Sequence, residues 1–160
     1  MSDYKYFLDN GIFKFQEGKF SEALEFMNKS LDLKKDWEIS YFYRAVVNQA
    51  LENFDDAILD YTKAIQINEK MVDAYYNRAN ILLSRKDIQN PDIERAISDL
   101  EKSIELDPKF TNAYFAMGAA LKKIGKYQEA LVCLDKVLEL QPDFVHARAL
   151  KKLLLQKYIV

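Results

Sequence analysis

A nearly repeated phrase is the feature that most constrains the fold of this chain. FQEGKFSEAL begins at Phe15 and KKIGKYQEAL begins at Lys122. Both phrases hold an alanine that recurs in two further variants of the same turn, so the four equivalent positions are Ala23, Ala57, Ala96 and Ala130. Their spacings are 34, 39 and 34 residues, which is a 34-residue period with one five-residue insertion. A fixed period of this length indicates stacked copies of one supersecondary unit.

Each unit contains two helical patterns. In the first pattern an aromatic residue is followed four residues later by a small one, in the pairs Phe7–Gly11, Tyr41–Ala45, Tyr75–Ala79 and Tyr114–Gly118. Residues four apart share one helix face, so the small residue lets a neighbouring helix approach closely. In the second pattern the recurrent alanine lies in an apolar stripe of helical period. Only four glycines and three prolines are present, which favours helices over β-structure.

This arrangement resembles the tetratricopeptide repeat family over about residues 4–144. The units run over about 4–37, 38–71, 72–110 with the insertion, and 111–144. The resemblance implies an all-α fold, a right-handed α-solenoid of four helix–turn–helix units that forms one domain over 1–160. The sequence departs from the family at Asn10, Arg44 and Arg78, where the family usually has leucine, and at Lys35 and Glu69, where it usually has a terminal proline.

The segment 145–158 is predicted to be a helix that caps the last unit. Stacked repeats leave an apolar face open at their ends, and a terminal helix covers it. Val145, Ala149 and Leu153 are expected to form its buried stripe. An alternative interpretation uses Leu154, Leu155 and Tyr158 as a self-association face, which would give a homodimer through the C-terminal helix.

The insertion is predicted to lie between the two helices of the third unit, over 84–91. Pro91 suits the first turn of the second helix, with Asn90 as its N-cap. Neutral length variation and a functional loop are both open at this point.

No constellation of catalytic or metal-binding residues is apparent. His146 and Cys133 are the single histidine and cysteine, and no phosphate-binding glycine motif occurs. Asp55, Asp56 and Asp60 are explained by the start of a helix, where acidic residues are favourable. We therefore expect neither an enzyme nor a bound cofactor or metal. The formal charge of −2 gives no case for nucleic acid, and the apolar runs are too short to span a bilayer. A soluble, cytoplasmic protein is expected.

The resemblance implies that the first helices of the units line a concave groove that binds a peptide or a partner helix. The residues at the groove-facing places include Leu8, Ile12, Phe42, Tyr43, Val46, Tyr76, Asn77, Asn80, Asn112 and Phe115. Most are apolar or aromatic, and the Asn77 and Asn80 amides can hold a peptide backbone in register. Of the five places that hold a terminal carboxylate in chaperone adaptors of this family, the better alignment matches one, so such a clamp is not expected.

The sequence therefore predicts a non-enzymatic adaptor or assembly factor that binds an apolar or amphipathic segment of another protein. One alternative is a chaperone that shields an apolar segment of a secreted or membrane-destined client. The other is a self-associating structural module.

Overall fold

The computed structural model describes residues 3–85 and 89–158, and within these ranges all the regular structure is helical. The helices are α1 Asp3–Gln16, α2 Phe20–Leu33, α3 Glu38–Ala50, α4 Phe54–Ile67, α5 Val72–Ser84, α6 Asn90–Leu106, α7 Thr111–Lys123, α8 Tyr127–Leu140 and α9 Val145–Lys157. Each predicted unit holds one helix pair. We call α1, α3, α5 and α7 the first helices of the units, and α2, α4, α6 and α8 the second helices.

The turn between the two helices of a pair requires left-handed backbone. Gly18 and Gly125 adopt φ values of 75° and 79° at this place in the first and last units. Glu52 stands at the same place of the second unit with φ 61°. Glycine reaches this region without steric cost, whereas a residue with a Cβ does not. The repeated phrase at the start of the sequence therefore encodes a turn as well as a period.

The small residues of the first helices lie where another helix backbone or side chain is close. A Cβ added at Gly118 would lie 3.3 Å from the Ala130 carbonyl oxygen, and one added at Gly11 would lie 2.7 Å from Met27 Cε. Ala45 stands at the equivalent place and has no exposed surface. The prediction that a small residue permits close approach is thus confirmed.

Backbone contacts divide the chain into two compact units, Met1–Ala74 and Tyr75–Val160, which we call the N-terminal and C-terminal halves. The core of the N-terminal half contains Leu8, Ala23, Met27 and Val47, with Trp37 and Tyr43 among the partly buried residues packed against it. In the C-terminal half the fully buried side chains include Leu100, Leu134, Val137 and Leu154. Each half thus has its own apolar interior.

Two of the departures from the family pattern form buried ion pairs between the helices of a unit. Arg44 on α3 pairs with Asp60 on α4, and Arg78 on α5 pairs with Asp99 on α6. Both pairs are bidentate, with nitrogen–oxygen distances of 2.6–2.8 Å. A charged residue in place of leucine is tolerated here because its partner on the second helix matches it.

The C-terminal helix α9 packs against α8, but with a different face from the one expected. Ala147 and Leu154 are fully buried, whereas Val145 and Leu153 are 68% and 41% exposed. The predicted stripe of Val145, Ala149 and Leu153 is therefore wrong. Burial of Ala147 and Leu154 fixes the orientation of α9, and the partly exposed Lys151–Asp135 pair with α8 is compatible with it.

Burial also changes the self-association face that the sequence suggested on α9. Leu154 is fully buried, and the Tyr158 ring stacks on Tyr127 with centroids 4.3 Å apart. Leu155 stays 45% exposed. Two of the three residues are thus engaged within the chain, which weakens the prediction of a homodimer through this helix.

The second helix of the third unit begins one residue earlier than predicted. Gln89, rather than Asn90, is the N-cap of α6, and Pro91 lies in the first turn as expected. Residues 86–88 of the insertion lie outside the described residues, so the role of the 84–91 loop stays a prediction.

Candidate protein-binding surface

In the N-terminal half, most of the predicted groove residues keep part of their surface exposed. Ile12, Phe42, Tyr43 and Val46 are all half-buried. Leu8 differs, because it is only 4% exposed and belongs to the core. The prediction that Leu8 offers a contact surface is therefore wrong. Trp37 is among the residues packed on the same core cluster, and its large ring helps to explain why a leucine at this place is enclosed.

A depression of about 400 Å³ lies beside α3 and the start of α5. It is lined by Ile39, Phe42, Tyr43, Lys70, Met71, Val72 and Asp73. Phe42 is held in place by its ring contacts with Tyr43 and Tyr61, at centroid distances of 5.4 and 5.7 Å. The result is an apolar recess with one cationic and one anionic side chain among its lining residues.

The turn that carries part of this recess is fixed by local hydrogen bonds. The Lys70 backbone N–H donates to Asn68 Oδ1 at 3.1 Å, and the Val72 N–H donates to the Lys70 carbonyl oxygen at 3.0 Å. An Asn side chain that accepts from the backbone two residues on is a common way to stabilise a turn. Met71 and Val72 are therefore presented by ordered backbone.

In the C-terminal half, the predicted aromatic residues pack against the segments that precede the following helices. The Tyr76 ring lies 4.8 Å from that of Phe110, and the Phe115 ring lies 5.1 Å from that of Phe144. Phe115 is also 6.4 Å from the His146 ring. Tyr76 and Phe115 remain half-buried, so each presents part of its ring to solvent.

The predicted amides in this half are available to a ligand. Asn77 and Asn80 on α5 are half-buried and Asn112 on α7 is exposed. Within the described residues, no hydrogen bond from these three side chains to the protein is found. Each amide can therefore donate to and accept from a bound segment.

The residues that sequence reasoning missed are the apolar ones just before each following helix. They are Trp37, Met71, Phe110 and Phe144, and they repeat with the same 34, 39 and 34 spacing as the alanines. Three of them lie next to a predicted groove residue. Met71 lines the same recess as Phe42, the Phe110 ring packs against Tyr76, and the Phe144 ring packs against Phe115. Their recurrence with the repeat period is the sequence signal that could have identified them.

Cys133 and His146 are the two residues that the sequence singled out for their possible reactivity. Burial, with a smaller effect from Glu129, raises the pKa of the Cys133 thiol to about 11. His146 is exposed beside Phe115 and Phe144. Over residues 3–85 and 89–158, no group of three or more His, Cys, Asp or Glu side chains is arranged to hold a metal ion. None of the described helices is long and apolar enough to cross a membrane.

Family models described as tetratricopeptide repeat match residues 72–110 and 111–144, which are the third and fourth predicted units. The chain belongs to the tetratricopeptide repeat family. Its helix-pair architecture is also that of solved proteins of the family. The MamA protein superimposes with a TM-score of 0.88 at 19% identity, over 96% of this chain and 81% of that one.

A second solved structure and one curated protein are also similar to this tetratricopeptide repeat protein. YrrB, described as having an unusual peptide-binding site, has a TM-score of 0.81 at 21% identity, over 94% of this chain and 75% of that one. The TPR repeat-containing protein MJ1428 of Methanocaldococcus jannaschii is 28% identical over 134 residues, which are 82% of this chain and 22% of that protein. The chain thus spans about a fifth of that curated relative.

Tetratricopeptide repeats mediate protein–protein interactions and are in general non-catalytic scaffolds. The exposed apolar and amide groups of the first helices are the part of the described structure best suited to such contacts.

Proposed function

We propose that this protein is a non-enzymatic adaptor or assembly factor that binds a segment of another protein through the first helices of its repeats. The observation that carries the proposal is the recess beside Phe42 and Met71. It is apolar, partly enclosed and bordered by exposed Lys70 and Asp73. Exposed apolar recesses with a polar rim are typical of sites that receive an anchoring side chain.

The partner suited to this recess is an extended peptide or an amphipathic helix with one apolar anchor. A recess of about 400 Å³ takes one large side chain, such as that of leucine or phenylalanine. In the C-terminal half, the Asn77, Asn80 and Asn112 amides would bond the backbone or polar side chains of the segment. An affinity around micromolar, about −8 kcal/mol, is expected for contacts of this size. That the residues of the two halves share one trough stays a prediction.

A peptide array tests the proposal. We expect wild-type protein to select short peptides that contain a large apolar residue. We expect Phe42→Lys to lose that selection, because it replaces an apolar ring of the recess by an ammonium that is costly to desolvate against an apolar anchor. Phe13→Lys is the matched control, since Phe13 is 55% exposed on α1 and does not line the recess. Because Phe42 also packs on buried Tyr61, Val72→Lys serves as a second variant at the rim.

The array also separates the alternatives. An adaptor of this kind selects particular sequences, whereas a chaperone that shields apolar segments binds many apolar peptides with similar strength. Unchanged peptide selection in both Phe42→Lys and Val72→Lys, with far-UV circular dichroism like that of the wild type, would remove the recess from the function.

A further inference from the structure

Charge is distributed unequally between the two kinds of helix in the repeats. The second helices are all acidic, with net charges of −2 for α2, −2 for α4, −3 for α6 and −2 for α8. The first helices α1, α3 and α5 each contain equal numbers of acidic and basic residues. The near-neutral charge of the whole chain therefore conceals an excess of acidic residues on the second helices.

The two remaining helices carry basic residues without any acidic residue. Helix α7 contains Lys122 and Lys123 and no Asp or Glu. Helix α9 contains four basic residues and again no Asp or Glu, and these four are Arg148, Lys151, Lys152 and Lys157. The excess positive charge is thus concentrated in α7, which bears the predicted groove residues Asn112 and Phe115, and in α9.

Most of these cations are not neutralised within the described structure. Lys151 pairs with Asp135, and Arg148 donates to the Pro142 carbonyl oxygen. For Lys122, Lys123 and Lys152, no carboxylate partner is found among residues 3–85 and 89–158. Lys123 and Lys152 are exposed and Lys122 is half-buried. Their charge is therefore available to a ligand.

The helix dipole accounts for only part of this pattern. Basic residues are favourable in the last turn of a helix, which fits Lys122, Lys123 and Lys157. However, α3 and α5 have no basic residue in the last turn and are stable without one. Lys152 lies in the middle of α9, where the dipole offers little.

The same helices present apolar and amide groups beside the cations. On α7, Asn112, Phe115 and Lys122 follow one another at spacings of three and seven residues, which places them along one face. On α9, Leu153 is seven residues after His146, whose ring contacts Phe115, and Lys157 follows four residues later. Each strip therefore runs from polar or aromatic groups to a lysine.

We propose that the C-terminal half binds an acidic protein segment with apolar anchors, through Phe115 and Leu153 and the cations Lys122 and Lys123. The inference rests on the proposed function and adds the charge of the partner. Nucleic acid is less well suited, because the four second helices repel phosphate and the strips offer apolar side chains rather than a continuous cationic track. Opposite charge on the partner would raise the association rate and exclude basic segments.

Three matched peptides test the inference. Each carries leucine and phenylalanine at the same positions, and the other positions are all Glu, all Gln or all Lys. We expect fluorescence anisotropy to show the Glu peptide binding about tenfold more tightly than the Gln peptide at about 50 mM salt, and the Lys peptide binding weakest. The advantage of the Glu peptide should largely disappear at about 500 mM salt, where exposed charges are screened.

Charge variants identify the lysines that produce the preference for the Glu peptide. Lys122→Glu/Lys123→Glu should remove the preference for the Glu peptide. Lys122→Gln/Lys123→Gln should reduce that preference, and it replaces the first variant if charge reversal at a helix end disturbs folding. Lys35→Glu/Lys63→Glu changes the net charge equally at exposed residues of the N-terminal half and should leave the preference intact.

The outcomes separate this inference from the proposed function. Equal binding of the Glu and Gln peptides overturns the acidic partner while leaving an apolar site in place. Failure of all three peptides to bind counts against both. A short single-stranded RNA that binds as tightly as the Glu peptide, and is lost in Lys122→Glu/Lys123→Glu, would overturn the inference in favour of nucleic acid.

Discussion

Replacing Arg44 by methionine should destabilise the protein far more than an ordinary surface substitution. The Arg44 Nε and Nη2 atoms donate to the two Asp60 carboxylate oxygens at 2.8 and 2.7 Å, and Asn48 Nδ2 donates to Oδ2 at 3.2 Å. Burial lowers the pKa of Arg44, but the hydrogen bond and the charge of Asp60 outweigh it and raise that pKa. Asp60 is only 8% exposed at its side chain, whereas Arg44 is 26% exposed.

The two single variants differ in what they leave behind. Arg44→Met leaves a buried carboxylate with one amide donor, which should cost about 3 kcal/mol. Asp60→Ala leaves a guanidinium that reaches solvent over a quarter of its side chain, so we expect a smaller loss of about 2 kcal/mol. The double variant should lose less than the sum, with a coupling energy of about 2 kcal/mol between the two side chains.

The last unit supplies a reason to expect only a small loss of unfolding free energy in the double variant. Met117 and Cys133 stand there at the places of Arg44 and Asp60, so the same helix pair packs with two uncharged side chains. Urea unfolding followed by circular dichroism gives the free energies for the cycle. The matched control is the exposed Lys136–Glu139 pair, whose coupling should be below about 0.5 kcal/mol. A coupling as small for Arg44–Asp60 would refute the reasoning.

Three further predictions concern the turns, the helix contacts and the thiol. Glu52→Gly should raise the free energy of unfolding by about 1 kcal/mol in urea melts, because it relieves left-handed backbone at a residue with a Cβ. Gly118→Ala and Gly11→Ala should both lower the free energy of unfolding in urea melts, since the new Cβ would lie 3.3 Å from the Ala130 carbonyl oxygen in the first and 2.7 Å from Met27 Cε in the second. Cys133 should be alkylated at pH 8 about a hundredfold more slowly in the folded protein than in urea, because burial raises its thiol pKa to about 11. Equal rates of alkylation would contradict that burial.

The fold was largely predictable because the contacts that define it repeat with the chain. A small residue at Gly11, Ala45 and Gly118 is needed wherever the two helices of a pair approach, so it recurs at fixed places. Glycine at Gly18 and Gly125 recurs for the same reason, since both turns use left-handed backbone. Local requirements of this kind are written into each copy of the unit.

The surface was less predictable because exposure depends on neighbours that differ from copy to copy. The residue at one place is enclosed as Leu8, in a core flanked by Trp37, and half-buried as Phe42, beside the recess at Met71. In α9, apolar residues lie on two faces, and hydrophobic period alone does not choose between them. The packing against α8 decides, and it buries Ala147 and Leu154 completely.

Departures from the repeat therefore carry the information that is specific to this protein. The period selects the family and the helix pairs, and these are shared by proteins with different partners. Arg44 and Arg78 depart from the leucine pattern, and each has an acidic partner on the following helix. The acid-free helices α7 and α9 depart from the balanced charge of α1, α3 and α5, and within the described residues Lys122, Lys123 and Lys152 have no carboxylate partner. A departure whose charge is paired within the fold is structural, whereas one whose charge has no internal partner points to a binding partner. This criterion favours 111–157 as the part of the chain that distinguishes one partner from another.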